Sequence, residues 1–251
     1  MRFTDYTYEE LRDLTPGVQA VFVPLGCTEQ QGPHMTVDFD ALMITRLCED
    51  IASRLEEGHG VRTLVMPTLP FGPTPEHAGF GHGYVNLRQS THEAVVEDIL
   101  ESLAEQGYER LLVWRGCGQH ELGEVIHRFN AGHSDVRAYQ PVLDYGAISH
   151  AVLGTVPGGH ADSFATSVCL FLEGARVRTE HIRLPGNKPL DWTRPVDFAA
   201  SSDTGVIGDP TRASRAAGEQ LWELCVKAGT LAALDILADK PVREGWRFKE
   251  A

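Results

Sequence analysis

The chain has 251 residues, 42% of them hydrophobic, and a formal net charge of −13. That is enough apolar material for one large domain with a real core, while no apolar run approaches the roughly 18 residues a membrane span needs. The acidic balance argues against nucleic acid or an anionic membrane as a partner.

The opening MRFTDYTYEELRDL is polar and acidic, unlike a secretion signal. AVFVPLG (20–26) reads as a buried strand. Residues 38–57 carry Ala41, Ile44, Leu47, Cys48, Ile51 and Leu55 at helical spacing. VRTLVMPTL (61–69) reads as a strand running into a loop. Ser90 to Glu93 (STHE) has the pattern of a capping box before AVVEDILESLAEQG, with Gly107 as the helix stop. RLLVWRG (110–116) is a third strand, followed by a helix over about 119–131 and by VRAYQPV (136–142). TVPGGHADSFATS (155–167) leads through glycines into a helix that reaches about Glu173. Residues 185–210 are rich in Pro, Gly, Asp and Ser and read as an extended surface loop. Trp192 and Trp246 suit packing better than a lid. A final helix spans roughly 211–238, capped by Thr211 or Asp209. Gly218 and Gly229 inside it imply close packing.

This alternation predicts an α/β fold, one domain over 1–251, with a mostly parallel central sheet between two helical layers. In such sheets ligands bind beyond the carboxyl ends of the strands. Two strands end in chemically rich loops, GCTEQQGPH and GCGQHE, and both should open on one rim. The five cysteines are odd in number, far apart and without a CxxC pair, so they read as reduced cytosolic thiols.

Four loops carry candidate chemistry. The first holds Glu29, Gln31, His34, Asp38 and Asp40. Glu29 lies past a strand end and Asp40 at a helix start, so a folded loop can bring both carboxylates to one cation. The plainer alternative is a helix cap and a solvated glutamate. The second holds Arg115, Cys117, His120 and Glu121. Cys117 suits a metal ligand, a nucleophile or a small buried side chain. The third, PEHAGFGHG, offers Glu76, His77 and His82 as a substrate lip or a second metal position. The fourth places His160 at a glycine-flanked helix entrance, as a general acid/base or as a cap.

In order along the chain, PLGCTEQQGPHMTVDFD, GPTPEHAGFGHG, RGCGQH, HADSFATS and GVIGDP resemble the motifs of the creatininase family of metal-dependent amidohydrolases. The resemblance covers about residues 18 to 237. It implies a creatininase-like three-layer α/β/α fold, a hexamer built from dimers, and two metal ions that share an aspartate. A metal-activated water then attacks an amide carbon. Carried over residue by residue, Glu29, Asp40 and His160 keep the family's groups. The family's ligand histidines fall on Gln31 and Cys117, and its second glutamate on Gln119 or Ala165.

These replacements imply at most one tightly held divalent metal, zinc or iron or manganese, on Glu29, Asp40 and Cys117. His160, Cys117, Glu76 and His77 are the catalytic candidates. Gln31, His34, Arg115 and His120 are the substrate-binding candidates. The expected partner is a small amide or cyclic amide in a cytoplasmic homo-oligomer. Two alternatives stand beside this reading. One is a metal-free enzyme using Cys117, with Arg115 paired to Asp40 or Glu29 in place of the lost cation. The other is a non-catalytic binding or structural relative.

Overall fold

A computed structural model describes residues 1–155, 157–186, 188, 190 and 196–238. Four strands, β1 (Ala20–Leu25), β2 (Thr63–Val65), β3 (Arg110–Arg115) and β4 (Arg137–Tyr139), form one parallel sheet in the order β2-β1-β3-β4. The described helices are α1 (Tyr8–Leu14), α2 (Phe39–His59), α3 (Gln89–Glu105), α4 (Gly123–Gly132), α5 (Tyr145–Leu153), α6 (Ser163–Glu173), α7 (Phe198–Ser201) and α8 (Arg215–Leu237).

Alternate residues of the central strands feed two cores. Ala20, Phe22, Leu112 and Trp114 meet α2, α5, α6 and α8 on one face. Val21, Val23, Leu25, Leu111 and Val113 meet α3 and α4 on the other. Burial on both faces explains why β1 is apolar throughout rather than alternating. Each fully buried Leu or Phe contributes roughly 1.5–3 kcal/mol of transfer free energy. This is the three-layer α/β/α arrangement expected from the sequence. Gly218 lies against the Ser167 carbonyl, where an added Cβ would sit 1.9 Å from the oxygen, so glycine is what lets α8 pack on α6.

Several boundaries differ from expectation. The helix after β3 begins at Gly123, which leaves Gln119 and His120 in a loop. No capping box forms at Ser90; α3 starts one residue earlier, and Gln89 donates to Glu93 within it. A true capping box forms at Thr7 and Glu10, ahead of α1, a helix the pattern did not reveal. Ser214 caps α8, not Thr211 or Asp209. The 185–210 segment is not wholly surface loop, because α7 buries Phe198. Trp192 and Trp246 lie outside the described residues. No described helix is long and apolar enough to cross a membrane.

The strand order fixes the site. The chain leaves β1 outward to β2, then returns to place β3 on the other side of β1. The crevice at the carboxyl ends of β1 and β3 is therefore the topological switch point, where such sheets bind ligands.

Candidate metal centre

Leu25 and Arg115 are register partners at the ends of β1 and β3. Each is followed by Gly-Cys: Gly26–Cys27 and Gly116–Cys117. Both glycines are required by the close approach of α2 across the strand ends. A Cβ on Gly26 would lie 2.5 Å from the Ala41 Cα, and one on Gly116 would lie 3.0 Å from the Asp40 carbonyl oxygen.

The two loops bring Cys27, Glu29, Asp40 and Cys117 together, with one ligand atom of each within 4.8 Å of all the others, and all four are buried. The Cys27 thiol has two carboxylate acceptors, Glu29 Oε2 at 3.0 Å and Asp40 Oδ2 at 3.1 Å. Gln31 Nε2 donates to Glu29 Oε1 at 3.4 Å and to Asp40 Oδ2 at 3.2 Å. The Cys117 thiol donates to Gln119 Oε1 at 3.2 Å. Gln31 thus binds the carboxylates, and it also lines a small cavity of about 210 Å³ with Glu29, Asp40, Cys117, His160 and Ala165.

Charge is scarce on the basic side. Among the described residues, no lysine or arginine lies at ion-pair distance from Glu29 or Asp40; only His77 and His160 reach Glu29. Burial pushes Glu29 up, and His77 outweighs it and holds it charged, helped by the Cys27 thiol and, in acid, by a protonated His160. Burial and the Glu29 charge push Asp40 well up. Two buried carboxylates, two thiols and no fixed cation make a donor set that fits one divalent ion.

His160 Nε2 donates to the Gln30 carbonyl at 2.6 Å, so its Nδ1 lone pair faces Glu29 Oε1 at 3.4 Å. Burial holds this ring down at about 4, so it is neutral at pH 7. Asp162, not His160, caps α6. Ala161 between them has a left-handed φ of 52°, a sparsely populated conformation for a residue with a side chain.

His77 Nε2 lies 3.4 Å from Glu29 Oε2 and 3.2 Å from Glu76 Oε1, with its N–H aimed squarely at neither. Burial lowers its pKa and the two carboxylates raise it, toward about 9. The Gln30 amide donates to His77 Nδ1 at 3.0 Å and to the Gly205 carbonyl at 3.1 Å, which opposes a second proton on the ring. Phe198 stands edge-on to His77, its ring 5.1 Å away.

Other expectations change. His34 lines neither cavity; its Nε2 pairs with Thr166 Oγ1 at 2.8 Å and ties the first loop to α6. Arg115 does not pair with Asp40 or Glu29; it donates to the His120 carbonyl at 3.3 Å. His120 is wholly buried and lines neither cavity, so it is not placed to touch substrate. Glu121 and His82 are exposed. Asp38 pairs with Arg176 and makes no side-chain cap to α2. A larger cavity of about 950 Å³ adjoins the small one, sharing Arg115, Gln119, Tyr145 and Gly159 and reaching Glu76, Arg88 and Phe198.

Cys27 joins the cluster although its place in the first loop suggested no role. The signal was present: the Gly-Cys pair occurs twice, after two strands that prove to be neighbours.

A doubly wound parallel sheet with buried carboxylates, thiols and imidazoles at its switch point defines an α/β protein with a cluster of potential metal ligands. The chain belongs to the creatininase family: the family model for creatinine amidohydrolase matches residues 4–232. It is 31% identical over 218 residues to the mycofactocin precursor peptide peptidase of Mycobacterium tuberculosis, covering 82% of this chain and 81% of that protein. It is 27% identical over 230 residues to the creatinine amidohydrolase of Pseudomonas putida, covering 82% and 85%. Among solved structures, a Bacteroides fragilis protein described as a creatinine amidohydrolase shares the fold at TM-score 0.84 and 21% identity, covering 97% and 98%. A manganese creatininase and a mutant creatininase of Zn-Zn type match at TM-scores 0.79 and 0.77, each at 26% identity and covering 96% of this chain and 98% of that one.

Proposed function

We propose that this chain hydrolyses an amide C–N bond through one divalent metal ion held by Glu29, Asp40 and Cys117. The observation that carries the reading is the buried four-residue cluster, which combines two carboxylates and two thiols with no arginine or lysine among the described residues to balance them. When bound, such an ion polarises an amide carbonyl and lowers the pKa of water.

The chain's own groups supply the rest. His160 is a neutral base whose Nδ1 faces the cluster, fixed by its bond to the Gln30 carbonyl. It suits taking a proton from water and returning one to the leaving amine. His77, which lies between Glu76 and Glu29, holds Glu29 in place and charged. Gln31 orients both carboxylates. The cavity beside the cluster, about 950 Å³, exceeds what a small ring needs and suits an extended amide, an N-acyl compound or a short peptide. Arg88 and Arg115 on its wall favour a substrate with a carboxylate. The chain would act as a homo-oligomer, which light scattering measures.

A metal-free thiol mechanism is less favoured. The hydrogen bond from Cys27 pulls Cys117 down, but burial and the charges of Glu29 and Asp40 outweigh it and hold the thiol up at about 12. A nucleophile needs the thiolate.

The test is elemental analysis of untagged protein, followed by a screen of short peptides, N-acyl amino acids and lactams. About one ion per chain, lost in Asp40→Ala together with activity, is the expected outcome. Full activity in metal-stripped protein, abolished by Cys117→Ser alone, would transfer the reaction to the thiol.

A further inference from the structure

We propose that Cys27, Cys117 and His120 form a soft-donor metal position on the inner wall of the centre, selective for a zinc-class ion. The idea shares Cys117, and Glu29 as a neighbouring donor, with the hydrolase reading and rests on it in no other way.

The observations come from three directions. The repeated Gly-Cys pairs sit at matched positions past the ends of two hydrogen-bonded strands. The two sulfurs and one ring nitrogen of His120 lie within 4.8 Å of one another, and Cys27, Cys117 and His120 are 0%, 3% and 0% exposed. Both ring nitrogens of His120 lack any hydrogen-bond partner. A fully buried imidazole with neither nitrogen satisfied carries the desolvation penalty of both, and such groups are rare enough to require a reason. A metal bond supplies one.

The ring is also held where it is. The Gly72 backbone lies so close that a Cβ there would be 2.1 Å from His120 Nε2. The His92 ring covers it with centroids 4.7 Å apart. His92 offers no hydrogen bond to it and is likewise unpartnered at both nitrogens. The nearest fourth donor to the sulfurs is Glu29 Oε2, 3.0 Å from Cys27 Sγ and 3.5 Å from Cys117 Sγ.

Donor type then selects the ion. Thiolates and imidazole favour zinc over manganese or magnesium, which prefer oxygen. Metal binding replaces the two thiol protons, which are released to solvent. Cys27 and His120 line neither cavity, while Cys117 borders the small one, so the position is enclosed by protein on its Cys27 and His120 sides. Cys117 stands between this enclosed pair and the cavity that the carboxylates face.

The test uses the full-length chain, expressed untagged. X-ray absorption at the zinc edge needs no variant: two sulfurs at about 2.3 Å and at least one nitrogen at about 2.0–2.1 Å are expected. Cobalt substitution gives an independent readout in the near-ultraviolet thiolate charge-transfer band. Cys27→Ser should reduce that band to about half and weaken zinc binding about tenfold or more, and His120→Asn should weaken zinc binding similarly while keeping the band. Circular dichroism checks that both variants are folded. A shell of oxygen and nitrogen only overturns the proposal. So does a single sulfur with zinc affinity indifferent to Cys27→Ser and His120→Asn; the hydrolase reading on Glu29, Asp40 and Cys117 would then survive. No metal uptake at all overturns both.

Discussion

The loops after β1 and β3 begin alike, with Gly-Cys, and then diverge. In the first, the side chains that face the cluster all have protein partners: Cys27 and Gln31 donate to the carboxylates, and the Gln30 amide is held by Gly32, His77 and Gly205. In the second, Cys117 bonds to Gln119, while His120 is buried with no partner on its ring. Toward the cluster, the first loop is tied down by protein hydrogen bonds. The second leaves the His120 ring unpaired. The fold therefore fixes the carboxylates before any ligand arrives and leaves the thiol–imidazole side to be completed.

The most severe break is in the first loop. Glu29→Gln removes the charge that His77 and the Cys27 thiol stabilise. Hydrolysis should fall by more than about 100-fold, beyond the 10–100-fold typical of outer-shell changes, with metal content falling in parallel in elemental analysis.

Acid should strain both loops together. Burial holds His34, His160 and His120 down at about 4, 4 and 3. Their unfolded value is about 6.5. Each therefore contributes stability that is complete above pH 6.5 and is lost as pH falls toward 4 and 3, at about 1.4 kcal/mol per pH unit per ring. Urea midpoints measured from pH 7 to 4 should drop steadily. His34→Asn and His120→Asn should each flatten the curve; a slope unchanged in both would mean that these rings are not buried neutral.

The glycines sharpen the contrast. Gly26→Ala places a Cβ 2.5 Å from the Ala41 backbone, whereas Gly116→Ala meets the Ile44 side chain at 2.9 Å and a carbonyl at 3.0 Å. Both should destabilise by roughly 1–3 kcal/mol, Gly26→Ala by more, read as thermal midpoints. As a reference far from either loop, Arg54→Ala breaks an exposed pair with Glu223 and should cost less than about 1 kcal/mol.

β1, β2 and β3 were legible as apolar runs, because strands buried on both faces need nothing subtler, whereas β4, Arg-Ala-Tyr with one residue buried, carries no such run. α5 was missed: YGAISHAVL is only nine residues long and its start rests on Asp144, a cap that a loop would carry equally well. The family motifs located Glu29, Asp40, Cys117 and His160, and the structure places them around one point. Sequence spacing could not say which way a loop side chain turns. His34 and Gln31 are three residues apart, yet one bonds to α6 and the other bridges the carboxylates. His120 read as a rim residue because its burial depends on Gly72 and His92, which belong to a different part of the chain.

The strand order also sets a schedule. Glu29 and Cys117 are 88 residues apart, and β1 gains its β3 neighbour only after α2, β2 and α3 have been made. At about 5–20 residues per second, a ribosome needs roughly 4–18 s to pass from one to the other. A nascent chain in that interval carries Cys27, Glu29 and Asp40 but neither Cys117 nor His120. The complete ligand set is a product of finished translation, and an ion that meets the chain earlier meets only half of its site.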